Sequence, residues 1–180
     1  LYGFPATAPR SDQNNSGLVA ASAAQLLHTG LSRSVTAQIQ VGMDTHFGNW
    51  ATTQPAKLKQ TFDAVAALLT DLREEDPGLR RTTVVVTSEF ARTPRINGNG
   101  GRDHWFANSV LVFGGKLKRG VVGATSSEAL GLQKTNLDTG LPDSDGTMLE
   151  PEHIGATIAA SAGLDHGSFR TAPLLNWIEA

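Results

Sequence analysis

Two short stretches hold most of the side chains able to do chemistry. "GMDTHFGN" (residues 42–49) carries Asp44 and His46, and "SEFARTPRINGNGGRDHW" (88–105) carries Glu89, Asp103 and His104. Together these five form a mixed oxygen and nitrogen donor set. Such a set suits a divalent transition metal such as zinc, manganese or iron; calcium favours all-oxygen shells and fits less well. A metal so held polarises an ester oxygen or generates hydroxide from water. Arg92, Arg95 and Arg102, with Asn97 in the same loop, suit a tetrahedral anion, because guanidinium forks match phosphate and sulfate oxygens. Gly98, Gly100 and Gly101 let the backbone fold closely around such a group.

Plainer readings of the same residues exist. Asp44 is also a good turn cap. Glu89 is also a natural ion-pair partner for Arg92 or Arg102, and "RINGNGG" reads equally as a surface turn with solvated arginines. His28, His153 and His166 lie outside both stretches and read as ordinary histidines. "GNGGR" lacks the Gly-Lys-Ser/Thr ending of a P-loop.

The elements that position these loops follow from periodicity. Ser16 is a candidate cap for a helix through "GLVAASAAQLLHT", with Gly30 placed to end it. "SVTAQIQV" (34–41) has the β-branched alternation of a strand. Leu58, Phe62, Val65, Leu69 and Leu72 recur at three- and four-residue steps, which predicts an amphipathic helix over 55–75. "TTVVVTS" (82–88) has no polar alternation, as in a strand buried on both faces. "ANSVLVFGG" (107–115) reads as a further strand, 124–150 as a long surface loop, and 150–164 as a helix opening with Pro151. The tail is expected to pack back through Leu174, Leu175, Trp177 and Ile178. This alternation predicts an α/β fold with a largely parallel sheet flanked by helices. In such sheets ligands bind beyond the carboxyl ends of the strands, so both chemical loops are expected at one sheet edge.

Composition narrows the function classes. The chain has 180 residues, a net charge of −2 and no cysteine. Disulfides and thiolate metal sites are therefore excluded, and nothing in the charge points to nucleic acid. No apolar run approaches transmembrane length.

"GMDTHFGN", "VVVTSEFARTPRINGNGGRDHW", "SVLVFGGKLKRGVVGAT" and "EPEHIGATIAASAGLD" resemble, in order and spacing, a bacterial family catalogued as domain of unknown function 1501. That family is similar to sulfatases within the alkaline phosphatase superfamily. The resemblance spans roughly residues 17–170. It implies an alkaline-phosphatase-like fold with a metal at the carboxyl edge of the sheet. Asp44 and His46 resemble the superfamily's Asp and His for a first metal, at shorter spacing, and His104 resembles the histidine that completes it. The second-metal Asp-His dipeptide corresponds here to Glu89-Phe90, and a phenylalanine cannot ligate.

Residues 1–16, rich in Pro, Asn and Ser, read as an irregular segment, and the resemblance implies that 17–180 form the carboxyl-terminal half of a larger domain. The superfamily's Ser or Thr nucleophile lies in the other half, so the expected partner is that half, in the same protein or as a companion chain. A small anionic ester is the expected substrate, and a periplasmic or extracellular place is implied by the family's export signals. Two functions are thus expected. One is a metal-binding hydrolase-like domain acting on a phosphate or sulfate ester. The other is a non-catalytic exported binding or assembly component that retains a vestigial metal or anion site.

Overall fold

The computed structural model describes residues 15–128 and 130–179. The segment read as irregular, 1–16, lies almost wholly outside them. The chain divides into two compact units, Leu1–Pro77 with Arg92–His104, and Gly78–Ala91 with Trp105–Ala180.

The first unit is built on two helices. α1 (Ser16–His28) is capped by Asn15, one residue before the expected Ser16; the Asn15 side chain accepts the Leu18 N–H at 3.0 Å. Gly30, at φ 68°, follows its end. α2 (Trp50–Glu75) begins a full turn before Pro55. Its buried face is Ala64, Val65, Leu68, Leu69 and Leu72, packed on a helix whose own buried face is mostly alanine (Ala20, Ala23, Ala24). Small residues on α1 allow close approach. Leu58 and Phe62, expected in that stripe, stay exposed.

The second unit holds a two-stranded ribbon, β1 (Thr83–Val86) against β4 (Leu111–Gly114), with Thr83 opposite Gly114 and Val86 opposite Leu111. The pairing is antiparallel, which overturns the expected largely parallel α/β sheet. A parallel pair needs a crossover of about a dozen residues or more, usually helical. The chain between β1 and β4 instead makes a hairpin of two very short strands, β2 (Ala91–Arg92) and β3 (His104–Trp105), and returns antiparallel. Val85 is exposed, so β1 is not covered on both faces. The segment 34–41 joins no ladder among the described residues. Its β-branched residues fit a pleated surface, and that preference yields a strand only where a neighbouring strand is present.

α3 (Pro151–Ser161) opens with its proline at the first position, as expected, and the buried His153 ring accepts the Glu150 N–H through Nδ1 at 3.1 Å. The described residues of 130–149 are tied by bridges rather than forming a free loop. Thr135, with no exposed surface, bridges both Pro142 and Thr147. The tail pairs back on 116–118, with Lys118 N–H donating to the Trp177 carbonyl at 2.8 Å. The Trp177 ring lies where any side chain at position 120 would sit: a Cβ on Gly120 would fall 2.1 Å from it. Leu174 is buried, whereas Leu175 is not. Among the described residues no helix is long and apolar enough to cross a membrane.

Candidate metal centre

The two chemical stretches meet in the first unit, brought together by a loop and a hairpin rather than by a sheet edge. Residues 43–47 are tied to α2 through Thr45, which is buried and donates its hydroxyl to Gln54 Oε1 at 3.0 Å. The hairpin tip then lies along them. Arg102 N–H donates to the Thr45 carbonyl at 3.1 Å, and Phe47 bridges Gly100. Gly101 permits this approach: a Cβ there would lie 2.0 Å from the His46 carbonyl carbon and 2.2 Å from the Phe47 nitrogen. No larger residue fits without parting the two segments.

Asn97 staples the tip. Its Oδ1 accepts from the backbone of Asn99 (2.9 Å) and Gly101 (3.0 Å). Its Nδ2 donates to the His46 carbonyl (3.1 Å) and to Asp103 Oδ1 (2.7 Å). All four hydrogen-bonding positions of the amide are therefore in use within the loop.

Three donor atoms converge at the centre. His46 Nε2 lies 2.9 Å from Asp44 Oδ1 and 3.0 Å from His104 Nε2, and His104 Nε2 lies 3.5 Å from Asp44 Oδ1. The two imidazole rings are tilted at 44° with centroids 4.8 Å apart. Adjacent ligands of a tetrahedral ion with bonds of 2.0–2.1 Å are separated by about 3.3 Å, so this triangle has nearly the dimensions of one face of such a shell.

The remaining contacts fix how these atoms are presented. His46 Nδ1 sits 3.0 Å from Asp103 Oδ1, and Arg92 Nη1 sits 3.2 Å from His46 Nε2. A guanidinium only donates, so Nε2 is the accepting nitrogen and Nδ1 carries the hydrogen given to Asp103. This is the tautomer a metal-binding histidine uses, with a carboxylate behind the ring. Arg92 Nη2 also donates to Asp44 Oδ1 at 2.6 Å. That hydrogen bond holds the Asp44 carboxyl below the ordinary carboxylate range, with His104 and His46 acting in the same direction against a desolvation contribution. Hydrogen bonds from His46 and Asn97 lower Asp103 likewise.

Not every predicted site residue joins this group. Asp44, His46 and His104 supply the triangle. Asp103 stands behind His46 rather than in the triangle. Glu89 is exposed and belongs to the other unit. Arg102 stacks on Trp50, 4.2 Å from the ring centroid, and donates through Nη1 to the carbonyls of Thr93 (2.9 Å) and Pro94 (2.7 Å), so it holds the hairpin turn. Arg95 is exposed, and its carbonyl accepts from the Thr93 hydroxyl. Arg92, expected as an anion ligand, contacts two triangle atoms.

Residues 6–178 match the family described as Protein of unknown function (DUF1501). The chain belongs to that family. No curated protein and no solved structure matches it. The DUF1501 match takes in both stretches that build the centre, the loop through Asp44 and His46 and the hairpin through Arg92, Asp103 and His104.

Proposed function

We propose that Asp44, His46 and His104 of this DUF1501 chain hold a divalent transition metal, zinc or manganese, and that the site serves hydrolysis of a phosphate or sulfate ester in a sulfatase-like protein. The observation that carries this reading is the triangle itself. A carboxylate oxygen and two imidazole nitrogens lie 2.9–3.5 Å from one another, close to the spacing of ligands on one ion. The carboxylate behind His46, which accepts from its Nδ1, supports the same reading, because Asp103 orients the imidazole and raises its basicity.

A divalent ion held there supplies Lewis acidity toward an ester oxygen or lowers the pKa of a water. The chain's own residues do the rest. Three protein ligands leave room for a further ligand, as in catalytic rather than structural sites. Asp44 and His104 are 71% and 51% exposed, so a substrate can reach the centre directly. Asn97 and Gly101 hold the loop that keeps His46 and Asp103 in register.

The second reading is a non-catalytic exported binding or assembly component with a vestigial site. It is favoured by Phe90, which stands beside Glu89 where the resemblance places a second-metal histidine. One experiment separates the two. The purified protein is loaded with zinc or manganese and assayed with aryl phosphate and aryl sulfate esters, beside His46→Ala, His104→Ala and a His28→Ala control. The hydrolase reading expects metal-dependent turnover lost in the first two variants and kept in the third. Metal bound through His46 and His104 without turnover supports the binding component, and failure to bind metal overturns the metal site itself.

A further inference from the structure

We propose that Arg92 is a built-in competitor for the metal, a guanidinium that stands in for the ion and must give way when it binds. The inference rests on the metal reading above. Arg92 touches two of the three donor atoms, Asp44 Oδ1 at 2.6 Å and His46 Nε2 at 3.2 Å. The second contact decides the matter. An imidazole nitrogen has a single lone pair, and an arginine N–H and a metal cannot both use it. One cation must leave before the other is bound.

The surroundings show how the exchange is made cheap. Arg92 is 14% exposed, and its two terminal nitrogens are also held by backbone carbonyls, Nη1 by Arg102 (3.1 Å) and Nη2 by Met43 (3.2 Å). Those carbonyls remain as acceptors when Asp44 and His46 are taken. The guanidinium therefore withdraws a short way instead of swinging into solvent. In the metal-free protein it offsets the Asp44 charge. In the loaded protein a positive charge stays close to the dication and weakens its hold. Arg92 thus sets how readily metal enters and leaves the centre.

The test uses zinc affinity, measured at fixed pH by competition with a chromophoric chelator, for the wild-type protein, Arg92→Gln and Arg92→Lys. Losing an exposed ion pair and the retained charge should make Arg92→Gln bind zinc roughly fivefold tighter or more. Arg92→Lys, which keeps the charge and loses the fork, should fall between. A merely structural arginine predicts the opposite sign, weaker binding in both variants, and that result would overturn the proposal. Should Arg92→Gln fail to fold, the wild-type protein decides by NMR. Rotation about the Arg92 Nε–Cζ bond should quicken on zinc saturation as the fork is released, and unchanged rotation would sink the idea. If zinc binds through His46 and His104 yet Arg92→Gln binds no tighter, only the competitor role falls. If the wild-type protein binds no zinc, the metal reading falls with it.

Discussion

His46 is held from both ends of its ring: Nδ1 lies 3.0 Å from Asp103 Oδ1 while Nε2 points at Asp44 and His104. The Asp103 carboxylate makes its hydrogen bond to the centre through that ring. Asp103→Ala should therefore leave the three ligand atoms in place but free the imidazole to turn and to change tautomer. Zinc affinity should drop about ten- to a hundredfold while the circular dichroism spectrum is retained. Equal affinities for variant and wild type would show that the carboxylate does not orient the ligand.

Gly101→Ala tests the backbone approach that builds the centre. Its Cβ would meet the His46 carbonyl carbon at 2.0 Å, and the obstacle is main chain, which cannot swing aside. Thermal denaturation should reveal a loss of about 1–3 kcal/mol, in line with overpacking elsewhere. Metal binding should weaken alongside, because the hairpin carrying Asp103 and His104 must move off residues 46–47. A substitution at Gly98, where an added Cβ meets nothing within 4 Å, should do neither.

The helix pair carries its own pH dependence. His28, in the last turn of α1, donates to Asp71 Oδ1 at 3.1 Å from Nε2 and to Glu75 Oε1 at 3.2 Å from Nδ1. Only the protonated ring can donate at both nitrogens. Burial lowers its pKa, yet the hydrogen bonds and charges of Glu75 and Asp71 outweigh it, and the pKa is raised above 6.5. A raised folded-state pKa gives stability that is complete below the unfolded value of 6.5 and is lost as pH climbs through the folded value. Thermal midpoints followed from about pH 5.5 to pH 8.5 should fall across that window more in the wild type than in His28→Gln. Parallel curves for the two proteins would remove His28 from the account.

What the sequence made legible was local. Caps, breakers and three- and four-residue spacing mark α1 and α3 to within a turn and the end of α2, because those signals act inside one segment, whereas α2 begins five residues before the expected Pro55. The meeting of Asp44, His46 and His104 was expected for a different reason from the one observed. The expected route ran through parallel strand ends, whereas the structure brings them together by laying Gly100–Arg102 along Thr45–Phe47. Strand direction was not legible, since "TTVVVTS" is equally apolar whichever way its partner runs. Nor were the arginine roles. Three guanidinium groups in one loop suggest a single anion site, and spacing does not show that Arg102 meets Trp50 and two carbonyls or that Arg92 meets Asp44. Side-chain partners on other segments decide such roles, and spacing along one segment does not contain them.

The most direct measurement of the central claim is X-ray absorption at the zinc edge on protein loaded with zinc and freed of excess ion. The account predicts one ion per chain, with two imidazole nitrogens and a carboxylate oxygen at about 2.0–2.2 Å, and loss of the imidazole scattering signal from His46→Ala and His104→Ala in turn. Protein that retains no zinc, or a bound ion whose shell contains no imidazole and is unchanged in both variants, would contradict it.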